Sequence, residues 1–154
     1  MAQKTALVTG AAQGIGAGIA RVLAGRGYAV AVADLKKPAA GFFFVRTDVS
    51  REPAVRACVR AVLRRFGRLD ALVNNAGLAN AANGPVEKLA LAEWNRRLGT
   101  NLTGVFLMTK HCVPQLRAAP SSTSPRRAHC SRRRIPRRTR PARAGSRRSP
   151  MRSP

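Results

Sequence analysis

Residues 9–16 read Thr-Gly-Ala-Ala-Gln-Gly-Ile-Gly and separate two patterns of different period. The short stretch at residues 4–8, rich in strand formers and without a helical repeat, predicts a β-strand. The apolar residues that follow the glycines predict one face of an α-helix: Ile15, Ile19, Val22 and Leu23. The glycines therefore lie where a strand turns into a helix, so that free N–H groups and the positive end of the helix dipole point the same way. Such a turn can hold a pyrophosphate, because glycine lets the phosphate reach the backbone, although a flexible surface turn is the alternative interpretation.

Three glycines of this turn, Gly10, Gly14 and Gly16, follow the spacing Gly-x-x-x-Gly-x-Gly, and a threonine precedes them. The motif resembles that of the short-chain dehydrogenase/reductase family, which binds NAD or NADP on a Rossmann-like sheet. The resemblance implies an α/β fold with a doubly wound parallel sheet. It also implies that five residues of the turn contact the cofactor: Gly10, Gln13, Gly14, Ile15 and Gly16.

Charge divides the chain into two parts of different character. The 154 residues carry a formal net charge of +23, and a chain of this length has room for one domain. Residues 1–117 hold 17 Lys and Arg and all 6 Asp and Glu, whereas residues 118–154 hold 12 Arg and no acid. Cys58, Cys112 and Cys130 show neither metal-ligand spacing nor a disulfide framework, so we expect no metal and a reducing cytoplasm. The sequence pattern predicts neither a signal peptide nor a membrane span.

An aspartate, Asp34, ends the second predicted strand at residues 28–33. In a Rossmann unit, an acid at this point accepts hydrogen bonds from the adenosine ribose and repels a 2′-phosphate. Asp34 follows Gly10 by 24 residues, near the roughly 20 that the fold requires. We therefore expect NAD, with NADP less favoured, although Lys36 and Lys37 can attract a 2′-phosphate. A strand-terminal aspartate that only starts a turn is the alternative.

A third predicted strand, at residues 42–47, leads directly into Asp48 and Val49. The family resemblance implies that Asp48 contacts the adenine amino group and that Val49 belongs to the same cofactor site, while a turn aspartate is the alternative. Ser50 is predicted to cap the next helix. The buried stripe of that helix is predicted to be Val55, Val59, Val62 and Phe66. Its arginines are predicted to form a solvated face rather than a nucleic-acid patch: Arg51, Arg56, Arg60, Arg64 and Arg65.

The sequence Asn74-Asn75-Ala76-Gly77 follows the fourth predicted strand, at residues 69–73. Ligands of open α/β sheets bind outside the carboxyl ends of the strands. We expect the two amides to hold the strand edges together, and the small residues after them to leave room for a ribose and nicotinamide. The tetrapeptide matches the family motif, which makes Asn75, Ala76 and Gly77 predicted cofactor-binding residues.

Asn101 opens the sequence Asn-Leu-Thr-Gly-Val-Phe and matches the catalytic asparagine of the family. The resemblance implies that this residue bends a long helix and steadies a water in a proton relay. One side of the helix is predicted to be formed by Leu102, Val105, Phe106, Thr109, Val113 and Leu116. The resemblance covers residues 4–117 without a gap.

The family pattern continues with a fifth strand, a serine and the sequence Tyr-x-x-x-Lys, which this chain lacks. A tyrosine of pKa about 10 donates its proton near neutral pH only if an adjacent lysine ammonium stabilises the phenolate. Tyr28 is the only tyrosine here, and no lysine follows Lys110. The sequence therefore predicts an oxidoreductase by descent, of the type that moves a hydride between a nicotinamide cofactor and an alcohol or ketone, but inactive as written. A non-catalytic NAD-binding or interaction module is the alternative.

Residues 118–154 contain 12 Arg, 6 Pro and almost nothing to bury, a composition typical of disorder. They can act as an arm that binds nucleic acid non-specifically by counterion release, which would make the protein a nucleic-acid binder. Their composition also fits a frameshift product, because GC-rich codons that are read out of frame yield Arg, Pro, Ala and Ser. For residues 1–117 we predict an incomplete domain of about four strands in the order 3-2-1-4, whose exposed apolar edge is a predicted aggregation site. We do not expect the homo-oligomer of the family in this truncated form.

Overall fold

The computed structural model describes residues 3–39, 41–78 and 85–117. The strands are β1 (Thr5–Thr9), β2 (Ala29–Asp34), β3 (Phe43–Arg46) and β4 (Ala71–Val73). The helices are α1 (Gly14–Gly25), α2 (Glu52–Phe66), α3 (Leu91–Leu98) and α4 (Gly104–Arg117). A 3₁₀ turn at Val86–Lys88 precedes α3, and a π turn at Gly99–Thr103 joins α3 to α4. The basic segment 118–154, for which the sequence predicts disorder, lies outside the described residues.

The four strands form one parallel sheet in the order β3-β2-β1-β4. Leu7 of β1 pairs with Ala31 on one side and with Leu72 on the other. β1 is buried along its whole length, as a central strand covered on both faces must be. The predicted strand order and the Rossmann-like α/β fold are therefore confirmed for the described part of the chain.

Alternate residues of the central strands feed two separate cores, one on each face of the sheet. Leu7 faces a core shared with α2 and α4, whereas its neighbour Val8 faces a core shared with α1. The period of two along each strand sends successive side chains to opposite faces. The sheet is thus doubly wound, with α1 on one face and α2 and α4 on the other.

The buried face of α1 matches the predicted one in part, because Ile19 and Leu23 pack against the core whereas Ile15 and Val22 do not. Ile15 and Val22 are 79% and 55% exposed, while Gly16 and Ala20 are buried against the sheet. Small residues four positions apart let the helix backbone approach the strands closely, and this approach turns the larger Ile15 and Val22 outward. Gly27, which follows the end of α1, has a left-handed conformation, with φ at +84°.

The helix α2 confirms its predicted core side but not its predicted cap. Val55, Val59 and Val62 are buried, Phe66 packs against the same core, and the five arginines predicted to be solvated are exposed. The cap position is Arg51, which makes no side-chain cap hydrogen bond. Ser50 instead donates a hydrogen bond from its hydroxyl to the carboxylate of Asp48 and does not cap the helix.

The residues that the sequence groups on one side of α4 lie mainly on its exposed side, although Leu116 packs against the core. Leu102 of the π turn is 66% exposed and Phe106 is 60% exposed, whereas Leu107, Met108 and Cys112 are buried against α2 and the sheet. Both sides of this helix are apolar, so the hydrophobic pattern alone does not identify which side meets the core. Within the described residues, the exposed side of this helix therefore presents an apolar surface.

Candidate functional site

A cleft of about 760 Å³ lies at the carboxyl ends of the strands, within the size range of small-molecule sites. Every residue that the sequence predicts to bind a cofactor lines it. They come from four segments: Gly10, Gln13, Gly14, Ile15, Gly16, Asp34, Asp48, Val49, Asn75, Ala76 and Gly77. The fold therefore brings the predicted cofactor-binding residues into one concavity.

Two glycines of the turn allow close packing of protein against protein. Gly10 has φ at +63°, and a Cβ built on it would lie 2.6 Å from the Cα of Ala76. A Cβ on Gly16 would overlap the carbonyl oxygen of Gly10 and the side-chain nitrogen of Asn75. These positions let the start of α1 and the loop after β4 meet the end of β1.

Gly14 has a different surrounding. Its φ is +60°, yet a Cβ built on it would meet no protein atom within 4 Å, and the residue lines the cleft. Gln13 at the cap position of α1 makes no side-chain cap hydrogen bond, and the first turn contains no acid. The first N–H groups of α1 thus lack a side-chain cap, which is the arrangement by which a helix N-terminus holds an anion.

Asp34 fastens the end of β2 to the glycine turn. Its Oδ2 accepts the N–H of Ala12 at 2.8 Å, and its Oδ1 accepts the N–H of Lys36 at 3.0 Å. The hydrogen bond from Lys36 forms the turn that the alternative interpretation of Asp34 predicts. The hydrogen bond from Ala12 was not predicted. A carboxylate offers about four acceptor positions, so both oxygens keep capacity for a further donor in the cleft.

Asp48 makes a local turn with Ser50. Its Oδ1 accepts both the N–H of Ser50 at 3.0 Å and the hydroxyl of Ser50 at 2.6 Å. The carboxylate is therefore held at the rim of the cleft, where it lines the wall next to Val49. The turn interpretation is observed, and the predicted contact with adenine stays a prediction.

Asn75 and Thr9 join the ends of β4 and β1. The side-chain nitrogen of Asn75 donates to the carbonyl oxygens of Thr9 and Gly10 at 3.0 and 2.9 Å. Thr9 Oγ1 accepts the N–H groups of Asn75 and Ala76, both at 3.0 Å. Of the two amides expected to hold the strands, only Asn75 does so, because Asn74 donates to Thr109 of α4 instead. Sequence reasoning did not identify Thr9 as a residue of this site, although its position directly before the glycine motif is a signal that could have indicated it.

Asn101 lies in the π turn, and its side chain binds the backbone of the loop after β4. Its Oδ1 accepts the N–H of Leu78 at 2.7 Å, and its Nδ2 donates to the carbonyl of Leu78 at 3.2 Å. The helical segment around Asn101 is a π turn, and the predicted bend of the helix stays a prediction. Asn101 does not line the cleft, unlike Leu78, and its predicted role in a proton relay stays a prediction.

The far wall of the cleft comes from α3 and the π turn, through Asn95, Arg96, Gly99 and Thr100. Arg96 forms a two-pronged ion pair with Glu93, with nitrogen–oxygen distances of 2.6 and 2.8 Å. This wall was missed by sequence reasoning because it carries no motif and is built from an ordinary amphipathic helix.

Ion pairs away from the cleft have structural roles. Asp70 accepts the N–H of Thr5 at 2.8 Å at the opposite end of β1, and the Arg68 guanidinium beside it holds the pKa of that carboxyl below its usual value.

In the part of the chain that the structure describes, no group of three or more His, Cys, Asp or Glu side chains is placed to hold a metal ion. No helix within residues 3–39, 41–78 or 85–117 has both the length and the apolar character of a membrane span.

Comparison with known proteins gives consistent matches to dehydrogenases. Cis-4-hydroxycyclohexanecarboxylate dehydrogenase of Sinomonas cyclohexanicum is 43% identical over 131 residues, which covers 78% of this chain and 52% of that protein. L-fucose dehydrogenase of Oryctolagus cuniculus is 40% identical over 124 residues, which covers 75% of this chain and 43% of that protein. This chain thus spans about half the length of these relatives.

Solved structures match the fold at similar coverage. The 3-ketoacyl-(acyl-carrier-protein) reductase of Brucella melitensis, determined in complex with NADH, gives a TM-score of 0.70 at 37% identity, over 74% of this chain and 50% of that chain. The ligand-free aldohexose dehydrogenase of Thermoplasma acidophilum gives a TM-score of 0.70 at 30% identity, over 75% and 45%. The family model for short chain dehydrogenases matches residues 4–123. With this match over most of its length, the chain belongs to the short-chain dehydrogenase family.

Proposed function

We propose that the cleft binds a nicotinamide dinucleotide and that residues 1–117 are the cofactor-binding half of a short-chain dehydrogenase. The observation that carries this proposal is the convergence of four separate segments on one cleft beside an uncapped helix N-terminus. The cofactor supplies a carbon that takes up or releases a hydride. The NADH complex of the Brucella melitensis reductase, at 37% identity, supports the same cofactor class.

The residues divide among the parts of the cofactor according to their chemistry. The open space at Gly14 and the first N–H groups of α1 suit the pyrophosphate. Asp34 suits the adenosine ribose, and Asp48 suits the adenine amino group, because a carboxylate accepts hydrogen bonds from both. Ala76 and Gly77 offer little side-chain volume and leave room for the nicotinamide and its ribose.

NAD is the preferred cofactor in this proposal. Asp34 is fixed at the cleft by two backbone N–H groups, so its negative charge does not swing away from a 2′-phosphate. Lys36 also lines the cleft and opposes this discrimination with a positive charge. The preference for NAD over NADP is therefore modest.

The chain as written does not catalyse hydride transfer in this proposal. Reduction of a ketone to an alcohol, the substrate class that the dehydrogenase relatives suggest, needs an acid beside the carbonyl oxygen. Tyr28 precedes β2 at the amino end of the strands, whereas the cleft lies at their carboxyl ends. Asn101 has no titrating group. Reading the nucleotide sequence across codons 115–125 tests the frameshift origin of the tail, since another frame downstream of this point should then encode Ser and Tyr-x-x-x-Lys.

Titration of the purified chain with NADH, followed by cofactor fluorescence, tests the binding proposal. Gly14→Ala adds a methyl group to the space assigned to the pyrophosphate, and Gly27→Ala is its matched control. Both glycines have positive φ and no atom within 4 Å of a built Cβ, but only Gly14 lines the cleft. Both substitutions should strain the backbone by about 1–2 kcal/mol, while Gly14→Ala alone should weaken NADH binding.

Failure of the parent chain to bind NADH would refute the proposal. Equal loss of binding in Gly14→Ala and Gly27→Ala would show that backbone strain, and not the lost space in the cleft, governs the affinity.

A further inference from the structure

The loop after β3 leaves no room for a side chain on the first residue of α4. A Cβ built on Gly104 would lie 2.7 Å from Cγ2 of Val49 and 3.1 Å from its Cβ. Val49 is only 6% exposed and lines the cleft. Gly104 has ordinary right-handed helical angles, with φ at −60° and ψ at −44°, so its backbone does not require glycine. Since glycine is a poor helix former, the lack of a side chain must serve the approach to Val49.

The other end of the π turn contacts the same loop. Gly99 also has right-handed helical angles, and a Cβ built on it would lie 3.5 Å from the Cβ of Ser50. The loop that contains Val49 and Ser50 therefore rests against both ends of the π turn. Ser50 and Gly99 line the cleft together with Val49.

The middle of the π turn holds the loop after β4. Asn101 binds both the N–H and the carbonyl of Leu78, at 2.7 and 3.2 Å. Leu78 continues the wall of the cleft beyond Gly77. One turn of helix thus contacts two loops that line the cleft, one after β3 and one after β4.

We propose that Gly104 is a positioning residue of the cleft: by lacking a Cβ it seats the π turn on Val49, so that Asn101 keeps Leu78 in place. A methyl group at Gly104 pushes the start of α4 away from Val49 and moves Asn101 with it. The loop after β4 then loses its two hydrogen bonds. The expected loss of NADH affinity rests on the proposed function, whereas the expected change at Leu78 does not.

The test uses Gly104→Ala in the full chain, with Gly18→Ala as its control. Gly18 is also helical, but a Cβ built on it would meet nothing within 4 Å, and it does not line the cleft. The first readout is hydrogen exchange of the Leu78 N–H in the ligand-free protein, and the second is the Kd for NADH. Gly104→Ala should speed the exchange and weaken NADH binding, each by about tenfold, a shift of about 1.4 kcal/mol. Gly18→Ala should change neither.

A compensating substitution separates positioning from general damage. Val49→Ala removes the Cγ2 atom that a Cβ on Gly104 would meet, and leaves the milder 3.1 Å approach to Cβ. The pair Val49→Ala with Gly104→Ala should therefore return the exchange of Leu78 part of the way to the parent value. If Gly104→Ala alone precipitates, recovery of soluble protein by the pair supports the proposal.

Two results would overturn it: parental Leu78 exchange in Gly104→Ala, or a double variant that exchanges as fast, or precipitates as readily, as Gly104→Ala. A parent chain that does not bind NADH would refute the proposed function. The exchange of the Leu78 N–H would then decide the positioning role of Gly104.

Discussion

Asn75 donates two hydrogen bonds to Thr9 across the ends of two strands. The hydroxyl oxygen of Thr9 accepts the N–H of Asn75 at 3.0 Å, and the side chain of Asn75 donates to the carbonyl of Thr9, also at 3.0 Å. The strand β4 has only three residues, so its ladder with β1 supplies few hydrogen bonds. These two side chains extend the connection beyond the strand, to the point where the sheet opens into the cleft.

Asn75→Ala should lower the free energy of unfolding by about 1–3 kcal/mol, because the carbonyls of Thr9 and Gly10 lose a donor in a part-buried place. Asn74→Ala is the control, since within the described residues the amide of Asn74 donates to the exposed hydroxyl of Thr109 and not to the ends of the strands. Urea unfolding of the two variants measures the difference. An equal cost for both would contradict the role given to Asn75.

Asp34→Ala should narrow the difference between the NADH and NADPH affinities, because it removes the charge that repels a 2′-phosphate. Glu87→Ala changes the net charge equally but lies on the exposed 3₁₀ turn outside the cleft lining, and should leave the difference unchanged. Titration with both cofactors measures it. Equal affinities in the parent would count against Asp34 as the discriminating residue.

The strand order was predictable because the chain carries local signals at each strand end. The turn at Gly10, the acid at Asp34 and the amide at Asn75 mark three strand ends, and parallel strands bring such ends to one edge. Periodicity also gave the core side of α2, whose other face is strongly charged. The sequence predicted the buried side of this helix because its two faces differ strongly in polarity.

The core sides of α1 and α4 were only partly predictable. In α1 the buried positions are the small Gly16 and Ala20, which a search for large apolar residues overlooks. In α4 both faces are apolar, and only the position of α2 decides that Met108 is buried and Phe106 is not. The contact between Val49 and Gly104 joins residues far apart in sequence, and no local pattern announces it.

The two buried cysteines should be unreactive in the folded protein. Burial raises the pKa of Cys112 to about 12 and also raises the pKa of Cys58, so little thiolate forms near neutral pH. Because the folded pKa of Cys112 lies above its ordinary 9.0, the thiol stabilises the fold below pH 9, and this contribution is lost as the pH rises toward about 12.

Labelling with a thiol-reactive disulfide at pH 8 measures this protection. One fast thiol is expected, at Cys130 in the segment predicted to be disordered, and Cys130→Ser should abolish it. Fast modification of Cys58 or Cys112 before unfolding would show that the core between α2 and α4 is open.

The arginine-rich segment 118–154 should bind nucleic acid without sequence preference and lose affinity steeply with salt. Replacing Arg132, Arg133 and Arg134 by Ala should reduce the slope of log K against log salt by about 0.9 for each lost phosphate contact. The control is the same replacement of Arg56, Arg60 and Arg64, which are exposed on α2 and predicted to be only solvated. An equal effect of both triple variants would mean that net charge, and not the segment, governs binding. Sequence-selective binding at physiological salt would instead favour a dedicated nucleic-acid arm.

The 154 residues should show no dehydrogenase activity. A cofactor held by Asp34 and the glycine turn is oriented, but orientation supplies no proton, and general acid–base catalysis contributes about 10²–10⁴-fold. Both polar groups of the Asn101 side chain bind the backbone of Leu78, and no lysine follows Lys110 to complete a relay. Purified protein mixed with NADH and a panel of ketones should oxidise the cofactor no faster than buffer alone. The idea would fail if turnover persisted through repurification and disappeared in Asn101→Ala, because that loss would tie the chemistry to this chain.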